Sequence, residues 1–185
     1  MGYAGGAKKN PTYHSLGDHS ETVQIEFDPS GISFKELLSV FWESHDPTTR
    51  SWSRQYMSAI FFHDEEQKKI AFETMDREAS MLKQPVVTEI VPFAEFYIAE
   101  DYHQKFALQR NPDLMREFRI RYPSFERLVA STAAARVNGY LAGCGTSKDL
   151  LTEIDSYGLS SSAADLLLGI AKRPVRLQCS ISARS

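Results

Sequence analysis

Three tyrosines and one glutamate are the residues of this 185-residue chain whose types could act together on a substrate: Tyr3, Tyr13, Tyr56 and Glu21. A carboxyl group in apolar surroundings has its charged form disfavoured, so it can pass a proton to an oxygen that develops negative charge. Tyrosine hydroxyls stay protonated and donate hydrogen bonds to such an oxygen. The residue types alone also allow a plainer interpretation, in which Glu21 caps a strand end at the surface and the tyrosines belong to an amphipathic core.

Two cysteines and a histidine are the other residues whose side chains could take part in a reaction. Cys144 lies between two glycines in an expected mobile loop, where an accessible thiol could exchange with a disulfide or resolve a sulfenic acid. An incidental free thiol is the alternative, and Cys179 is expected to be adventitious. His19 has no cysteine or carboxylate at ligand spacing, so we expect a hydrogen-bonded structural group and no metal.

The composition argues against several classes of protein. The chain has 21 basic and 24 acidic residues, which suggests neither a nucleic-acid surface nor an acidic tail. Its longest apolar runs are far shorter than a membrane span. We expect no signal peptide before Tyr3, and two cysteines make no disulfide framework. A cytoplasmic location is therefore expected, with a mitochondrial leader on a longer product as the alternative.

Predicted strands and helices alternate in the first hundred residues. Apolar alternation predicts a half-buried strand over Thr22–Phe27, with Glu21 on its apolar face. Ser33 and Glu36 predict a capping box at the start of a helix. The further predicted elements are a central strand over Gln55–His63, a helix from its cap Asp64 to about Lys83, a strand over Val86–Val91, an aromatic turn over Phe93–Tyr97 and a helix beginning at Glu100.

Helices are predicted throughout the second part of the chain. Their expected ranges are Asp113–Arg121, Phe125–Val137, Ser147–Tyr157 with Gly158 at its end, and Ala163–Lys172. We therefore expect an α+β fold, with a small mixed sheet covered by helices in a two-layer, ferredoxin-like arrangement. The predicted domain covers residues 1–110, and residues 111–185 form a helical C-terminal extension with a frayed basic tail.

The order of short motifs along the chain resembles the peptide methionine sulfoxide reductase A family. The opening Gly2-Tyr-Ala-Gly-Gly6, Asn10-Pro-Thr-Tyr13 and Gly17-Asp-His-Ser-Glu21 match the family's Gly-Tyr-x-Gly-Gly, Asn-Pro-Thr-Tyr and Gly-x-His-x-Glu. Later matches, reaching to about Phe106, include Phe27-Asp-Pro29, His45-Asp-Pro47, Arg54-Gln-Tyr56, Ser58-Ala-Ile60, Thr88-Glu-Ile90 and Ala99-Glu-Asp101. So many ordered matches favour the functional interpretation of the glutamate and the tyrosines.

The resemblance implies a defined chemistry. It implies reduction of the S epimer of methionine sulfoxide, free or in proteins, in the repair of oxidative damage. Thioredoxin is the implied external reductant, with no metal, flavin or other cofactor. Glu21 falls on the family's proton donor, and Tyr13 and Tyr56 fall on the two tyrosines that bind the sulfoxide oxygen. Cys144 falls in the region where the family's thiols resolve the sulfenic acid.

The sequence departs from the family pattern in two places. The loop between Pro47 and Arg54 is shorter than in many bacterial members and lacks a family aspartate. The family's Gly-Cys-Phe-Trp segment, which carries the nucleophilic cysteine ahead of the Gly-Tyr motif, has no counterpart in the sequence. We therefore expect an N-terminally truncated chain, a fragment or a short isoform, that is inactive by itself. The alternative is a non-catalytic module that binds methionine sulfoxide or dimerises through a sheet edge.

Overall fold

A computed structural model describes residues 1–172 of the chain. Two compact units are present: the first covers Met1–Glu100, and the second begins at Asp101. The division into domains at residue 110 stays a prediction, and the expected frayed tail lies almost wholly outside the described residues. No helix within residues 1–172 is both long and apolar enough to cross a membrane.

Five short strands form two sheets in the first unit. Strand β1 (Gly2–Ala4) lies between β2 (Ser20–Thr22) and β5 (Phe96–Ile98) and is antiparallel to both. Strands β3 (Ala59–Phe62) and β4 (Glu89–Pro92) form a parallel pair. The predicted α+β class with a small sheet is confirmed.

The register of the three-stranded sheet aligns three side chains. Tyr3 on β1 is opposite Glu21 on β2 and opposite Tyr97 on β5. Directly opposed residues of an antiparallel pair project from the same face of the sheet. Tyr3 is buried with Leu16 and Ala99, and Tyr97 packs against this cluster. The sheet therefore places the Glu21 side chain beside the buried Tyr3 and in line with the half-buried Tyr97.

The strand predicted over Thr22–Phe27 was wrong beyond Thr22, because the observed strand β2 covers only Ser20–Thr22. The ladder between β1 and β2 ends at the pair formed by Gly2 and Thr22. Val23 and Ile25 are 60% and 56% exposed, because no strand of the described chain pairs with residues 23–27. Apolar alternation predicts a buried face only where a neighbouring strand is available.

Two elements of the first unit were not predicted as strands. Strand β1 has three residues, which is too short to show a period of two. The aromatic turn predicted over Phe93–Tyr97 was wrong at its end, because residues 96–98 pair with β1 as strand β5. Both strands are defined by their long-range partners and not by local patterning.

The two long helices of the first unit begin at the predicted caps. In front of α1 (Phe34–Glu43), the Ser33 hydroxyl accepts a hydrogen bond from the Glu36 amide at 3.2 Å, and the Glu36 carboxylate accepts one from the Ser33 amide at 2.8 Å. Asp64 caps α2 (Glu65–Leu82). These local hydrogen bonds satisfy amides that have no partner inside the helix, which is why the sequence alone located both helix starts.

The helices cover the parallel pair of strands. Leu38 and Trp42 of α1, Ile60 of β3 and Ala71 of α2 form one buried apolar cluster. Trp42 is 1% exposed and is the largest fully buried side chain of the described residues. This cluster packs α1 and α2 against β3, the strand that follows the turn Arg54–Tyr56.

A turn precedes β3, where the central strand had been predicted to start at Gln55. Residues Arg54–Tyr56 form a single 3-10 turn, and Ser53 caps it by accepting a hydrogen bond from the Gln55 amide at 3.1 Å. The prediction was wrong over these residues because side-chain capping by a serine competes with strand pairing. Tyr56 consequently lies on an anchored turn and is 44% exposed.

The described part of the second unit is helical. Its helices are α3 (Phe106–Gln109), α4 (Pro112–Arg121), α5 (Phe125–Ala130), α6 (Thr132–Leu141), α7 (Ser147–Glu153) and α8 (Ser161–Ala171). The single helix predicted over Phe125–Val137 is divided, because Ser131 has extended geometry and caps α6. Gly158 has the expected left-handed conformation, with φ of 63°.

A polar cluster links α6 to the end of α7. The Tyr140 hydroxyl donates a hydrogen bond to the Glu153 carboxylate, and the Arg136 guanidinium lies 2.8 Å from the same carboxylate. Burial, followed by the hydrogen bond to Glu153, raises the pKa of Tyr140 to about 12. All three side chains have partners within the unit, so the cluster serves as a structural link.

Candidate functional site

Glu21 lies at the centre of β2 and is half-buried. Its Oε1 atom accepts a hydrogen bond from the Gln55 side-chain amide at 2.7 Å. Gln55 belongs to the turn capped by Ser53, so the turn fixes the orientation of the carboxyl group. This contact engages one of the two carboxylate oxygens.

Tyr13 and Tyr56 lie close enough to each other and to Glu21 for their side chains to interact. A hydrogen bond with Tyr13 is the main reason why the pKa of Tyr56 lies above its ordinary value of 10, and partial burial and the nearby charges of Tyr13 and Glu21 act in the same direction. Tyr56 therefore keeps its proton, and its ability to donate a hydrogen bond, to higher pH than an isolated tyrosine. The structure thus brings together Glu21, Tyr13 and Tyr56, three of the four residues that the sequence singled out, and Tyr3 lies opposite Glu21 in the sheet.

Replacing Tyr13 by phenylalanine is expected to lower the pKa of Tyr56 toward its ordinary value, because the substitution removes the main interaction that raises it. A pH titration by NMR, with ¹³C placed at the hydroxyl-bearing carbon of tyrosine, measures this shift. Tyr122→Phe is the control, because Tyr122 belongs to the second unit. An unchanged Tyr56 titration in Tyr13→Phe would contradict the hydroxyl contact.

Glu100 is a residue of the site that the sequence did not reveal. Its Oε2 atom accepts a hydrogen bond from the Tyr3 hydroxyl at 2.6 Å, and its Oε1 atom accepts one from the Tyr13 backbone amide at 3.0 Å. Glu100 had been interpreted as the start of a helix, but a 3-10 turn, Asp101–His103, follows it, and α3 does not begin until Phe106. Tyr3 thus helps to hold Glu100, which in turn positions Tyr13. The Ala99-Glu-Asp101 match was the one available signal.

His19, just before β2, is buried and hydrogen-bonded to the backbone of the loop that follows β1, at Gly6 and Lys8. His19 is 1% exposed; the Gly6 amide donates to its Nδ1 at 3.2 Å, and its Nε2 donates to the Lys8 carbonyl at 2.7 Å. A Cβ atom on Gly6 would lie 2.6 Å from the His19 backbone nitrogen, so this close approach requires glycine. His19 is therefore a hydrogen-bonded structural group, as expected.

Asp18 and Arg54 connect this loop to the turn that carries Tyr56. The Ala7 amide donates a hydrogen bond to the Asp18 carboxylate at 2.9 Å, and such backbone hydrogen bonds hold the pKa of Asp18 below its ordinary value. The Arg54 guanidinium donates to the Asp18 carbonyl at 2.8 Å and to the Gly5 carbonyl at 3.2 Å. The Ser20 hydroxyl donates to the Arg54 carbonyl at 2.7 Å. These contacts fix the relative positions of the two segments.

Cys144 lies in the second unit, between α6 and α7, and is exposed. Its amide donates a hydrogen bond to the Gly139 carbonyl at 2.9 Å, and its neighbours Gly143 and Gly145 both have positive φ. Its role as a resolving thiol stays a prediction, and Cys179 lies outside the described residues. Among residues 1–172, no three histidine, cysteine, aspartate or glutamate side chains converge as metal ligands.

A carboxyl group and two phenolic hydroxyls that converge beside a sheet form a site able to bind and protonate a ligand oxygen. The model of one family, peptide methionine sulfoxide reductase, matches residues 1–135. The chain belongs to this family of oxidoreductases. The predicted family resemblance is therefore confirmed.

Curated relatives support this membership. A peptide methionine sulfoxide reductase of Drosophila melanogaster is 41% identical over 162 residues, covering 86% of this chain and 65% of the relative. A protein of the same family from Sulfolobus acidocaldarius is 50% identical over 114 residues, covering 57% of this chain and 65% of the relative. The chain thus spans slightly less than two thirds of the length of these relatives.

Solved structures agree with the fold. Mxr1 from Saccharomyces cerevisiae in reduced form superposes with a TM-score of 0.55 and 29% identity, covering 60% of this chain and 69% of that chain. Methionine sulfoxide reductase A of Corynebacterium diphtheriae gives a TM-score of 0.51 and 34% identity, covering 60% of this chain and 62% of that chain. The observed α+β architecture is therefore the fold of this family.

Proposed function

We propose that this chain carries the sulfoxide-binding part of a peptide-methionine (S)-S-oxide reductase, which acts on free and protein-bound methionine-S-sulfoxide in the cytoplasm. Two observations support this most strongly: Glu21 is hydrogen-bonded to Gln55, the neighbour of Tyr56 on the capped turn, and Tyr56 interacts with both Tyr13 and Glu21. Three groups that can donate a hydrogen bond or a proton converge there, as an S=O oxygen requires. Family membership supports the same substrate class.

The chemistry proceeds by protonation of oxygen and attack on sulfur. The two tyrosine hydroxyls bind the sulfoxide oxygen, and Glu21, held by Gln55, transfers a proton to it. A cysteine thiolate then attacks the sulfur of the protonated sulfoxide. The S–O bond breaks and the hydroxyl group passes to the cysteine sulfur, which leaves methionine and a cysteine sulfenic acid. Cys144 is proposed to attack that sulfenic acid, which releases water and forms a disulfide, and thioredoxin supplies the two electrons that reduce the disulfide. No metal or organic cofactor takes part in this scheme.

A second candidate function is a binding module without turnover. The sequence contains two cysteines, Cys144 and Cys179, and none among the residues that build the candidate site. A chain that keeps Glu21, Tyr13 and Tyr56 could recognise methionine sulfoxide without reducing it. Both functions require the same binding site, so binding is the property to be tested first.

Calorimetric titration with a short peptide carrying methionine-S-sulfoxide tests the proposal. We expect binding by residues 1–185, and an affinity lower by about five- to tenfold in Tyr13→Phe and in Tyr56→Phe, since each loses a hydrogen bond to the oxygen. Tyr122→Phe, in the second unit, is the matched control and should bind normally. The same peptide with unoxidised methionine should give little heat.

Two results would count against the proposed site. The absence of any heat at millimolar peptide would remove both candidate functions. Binding that is equally strong in the unaltered chain and in the Tyr13→Phe and Tyr56→Phe variants would place the ligand elsewhere.

A further inference from the structure

Trp52 is an exposed aromatic residue beside the candidate site. Its side chain is 86% exposed, the highest value among the large apolar residues described. Its ring centroid lies 5.4 Å from that of Tyr56, and the two ring planes are inclined by 53°. This separation is within the range of favourable aromatic contacts. Trp52 thus extends the aromatic surface of Tyr56 outward into solvent.

Trp52 belongs to the loop of residues 48–58, which lies between α1 and β3 and borders both a cavity and the candidate site. The cavity has a volume of about 160 Å³, and its lining from this loop consists of Thr49, Arg50, Ser51, Ser53, Arg54, Met57 and Ser58. Trp52, Gln55 and Tyr56 do not line this cavity. Gln55 instead contacts Glu21, and Tyr56 contacts Tyr13. Trp52 contacts Tyr56, a residue of the candidate site, and therefore lies next to that site.

The loop is anchored near both ends. The Val87 amide donates a hydrogen bond to the Pro47 carbonyl at 2.8 Å. At the other end, Ser53 caps the 3-10 turn, and the guanidinium of Arg54 bonds two backbone carbonyls. Because these contacts hold the flanking backbone, the exposed position of Trp52 is available before any ligand arrives. A preformed contact surface loses less conformational entropy on binding.

We propose that Trp52 binds an apolar side chain next to methionine sulfoxide in a polypeptide and so makes the site prefer such a segment to an isolated sulfoxide. This inference rests on the proposed function. A side chain that binds the small methyl group of the sulfoxide has to enclose it and is itself shielded from solvent. Trp52 is exposed to solvent, so its ring is available to a neighbouring side chain of a polypeptide. Exposed aromatic rings contribute large contact areas at low entropic cost.

Calorimetry with two pentapeptides tests this role. Both carry methionine-S-sulfoxide at the centre, flanked by phenylalanine in one and by glycine in the other. The unaltered chain should bind the phenylalanine peptide about tenfold more tightly, as expected for the extra apolar area buried. Trp52→Ala should remove this preference and leave the affinity for the glycine peptide unchanged, while Trp52→Phe should keep part of it. Val40→Ala is the control, because Val40 is a 63% exposed apolar residue of the first unit on α1.

The outcomes separate this inference from the proposed function. A preference for the phenylalanine peptide that persists in Trp52→Ala, or an equal loss of affinity for both peptides, would overturn the role of Trp52 and leave the sulfoxide site intact. Equal affinity of the unaltered chain for the two peptides would do the same. Failure of the unaltered chain to bind either peptide would overturn the proposed function and the inference together.

Discussion

Residues 1–185 are expected to bind methionine sulfoxide but to reduce none of it above background with thioredoxin or dithiothreitol. Attack on sulfur requires a thiolate within about 3–3.5 Å of it. The sequence supplies Cys144 and Cys179, and neither is among the residues that build the candidate site. Loss of the nucleophile of a covalent mechanism lowers kcat by as much as about 10⁶-fold. Chromatographic measurement of methionine formed per mole of protein tests this expectation.

Cysteine variants identify the source of any turnover. Turnover that survives in this chain and disappears in Cys144→Ser would contradict the expectation and would identify Cys144 as the attacking thiol. Cys179→Ser is the matched control for the other thiol. Turnover that is the same in both variants and in Glu21→Gln would indicate a reaction outside the candidate site.

Glu100→Ala is expected to lower the free energy of unfolding of the first unit by about 3 kcal/mol, because two groups lose this acceptor, the buried Tyr3 hydroxyl and the Tyr13 amide. Urea unfolding followed by tryptophan fluorescence measures this change. Both tryptophans of the protein, Trp42 and Trp52, lie in the first unit, so their emission reports on it.

Glu73→Ala provides the comparison for the Glu100 variant. Glu73 forms an exposed ion pair with Lys69 on α2 at 3.8 Å, and such pairs contribute at most about 1 kcal/mol. Equal free energies of unfolding for the two variants would show that Glu100 does not hold Tyr3 and Tyr13. A destabilised Glu100→Ala that still binds the sulfoxide peptide normally would show that its role is confined to stability.

The sequence predicted best those elements whose causes are local. The capping box of Ser33 and Glu36, the cap at Asp64 and the left-handed Gly158 all depend on residues a few positions apart, and the structure has each of them. Strands β1 and β5 depend on partners distant in sequence, so no local pattern revealed them. The same reason explains the false extension of β2, whose ladder ends at Thr22.

The sequence predicted the chemical groups of the candidate site but not the residues that hold those groups in position. Glu21, Tyr13 and Tyr56 could be selected by residue type and by motif, and they lie together. Gln55 and Glu100 also lie in matched motifs, but they were not selected, because an amide and a carboxylate on expected regular elements carry no signal of the contact each makes. Their roles follow from the sheet register and from the capped turn, which only the structure specifies.

The contact between sulfoxide and the two tyrosines is the central claim, and NMR of the hydroxyl-bearing carbon of ¹³C-labelled tyrosine tests it most directly. Adding a methionine-S-sulfoxide peptide should move the Tyr13 and Tyr56 signals, assigned with the Tyr13→Phe and Tyr56→Phe variants, while the Tyr140 signal stays in place. The same peptide with unoxidised methionine should leave all three unchanged. Unmoved Tyr13 and Tyr56 signals at a sulfoxide concentration that saturates the calorimetric heat would contradict the account.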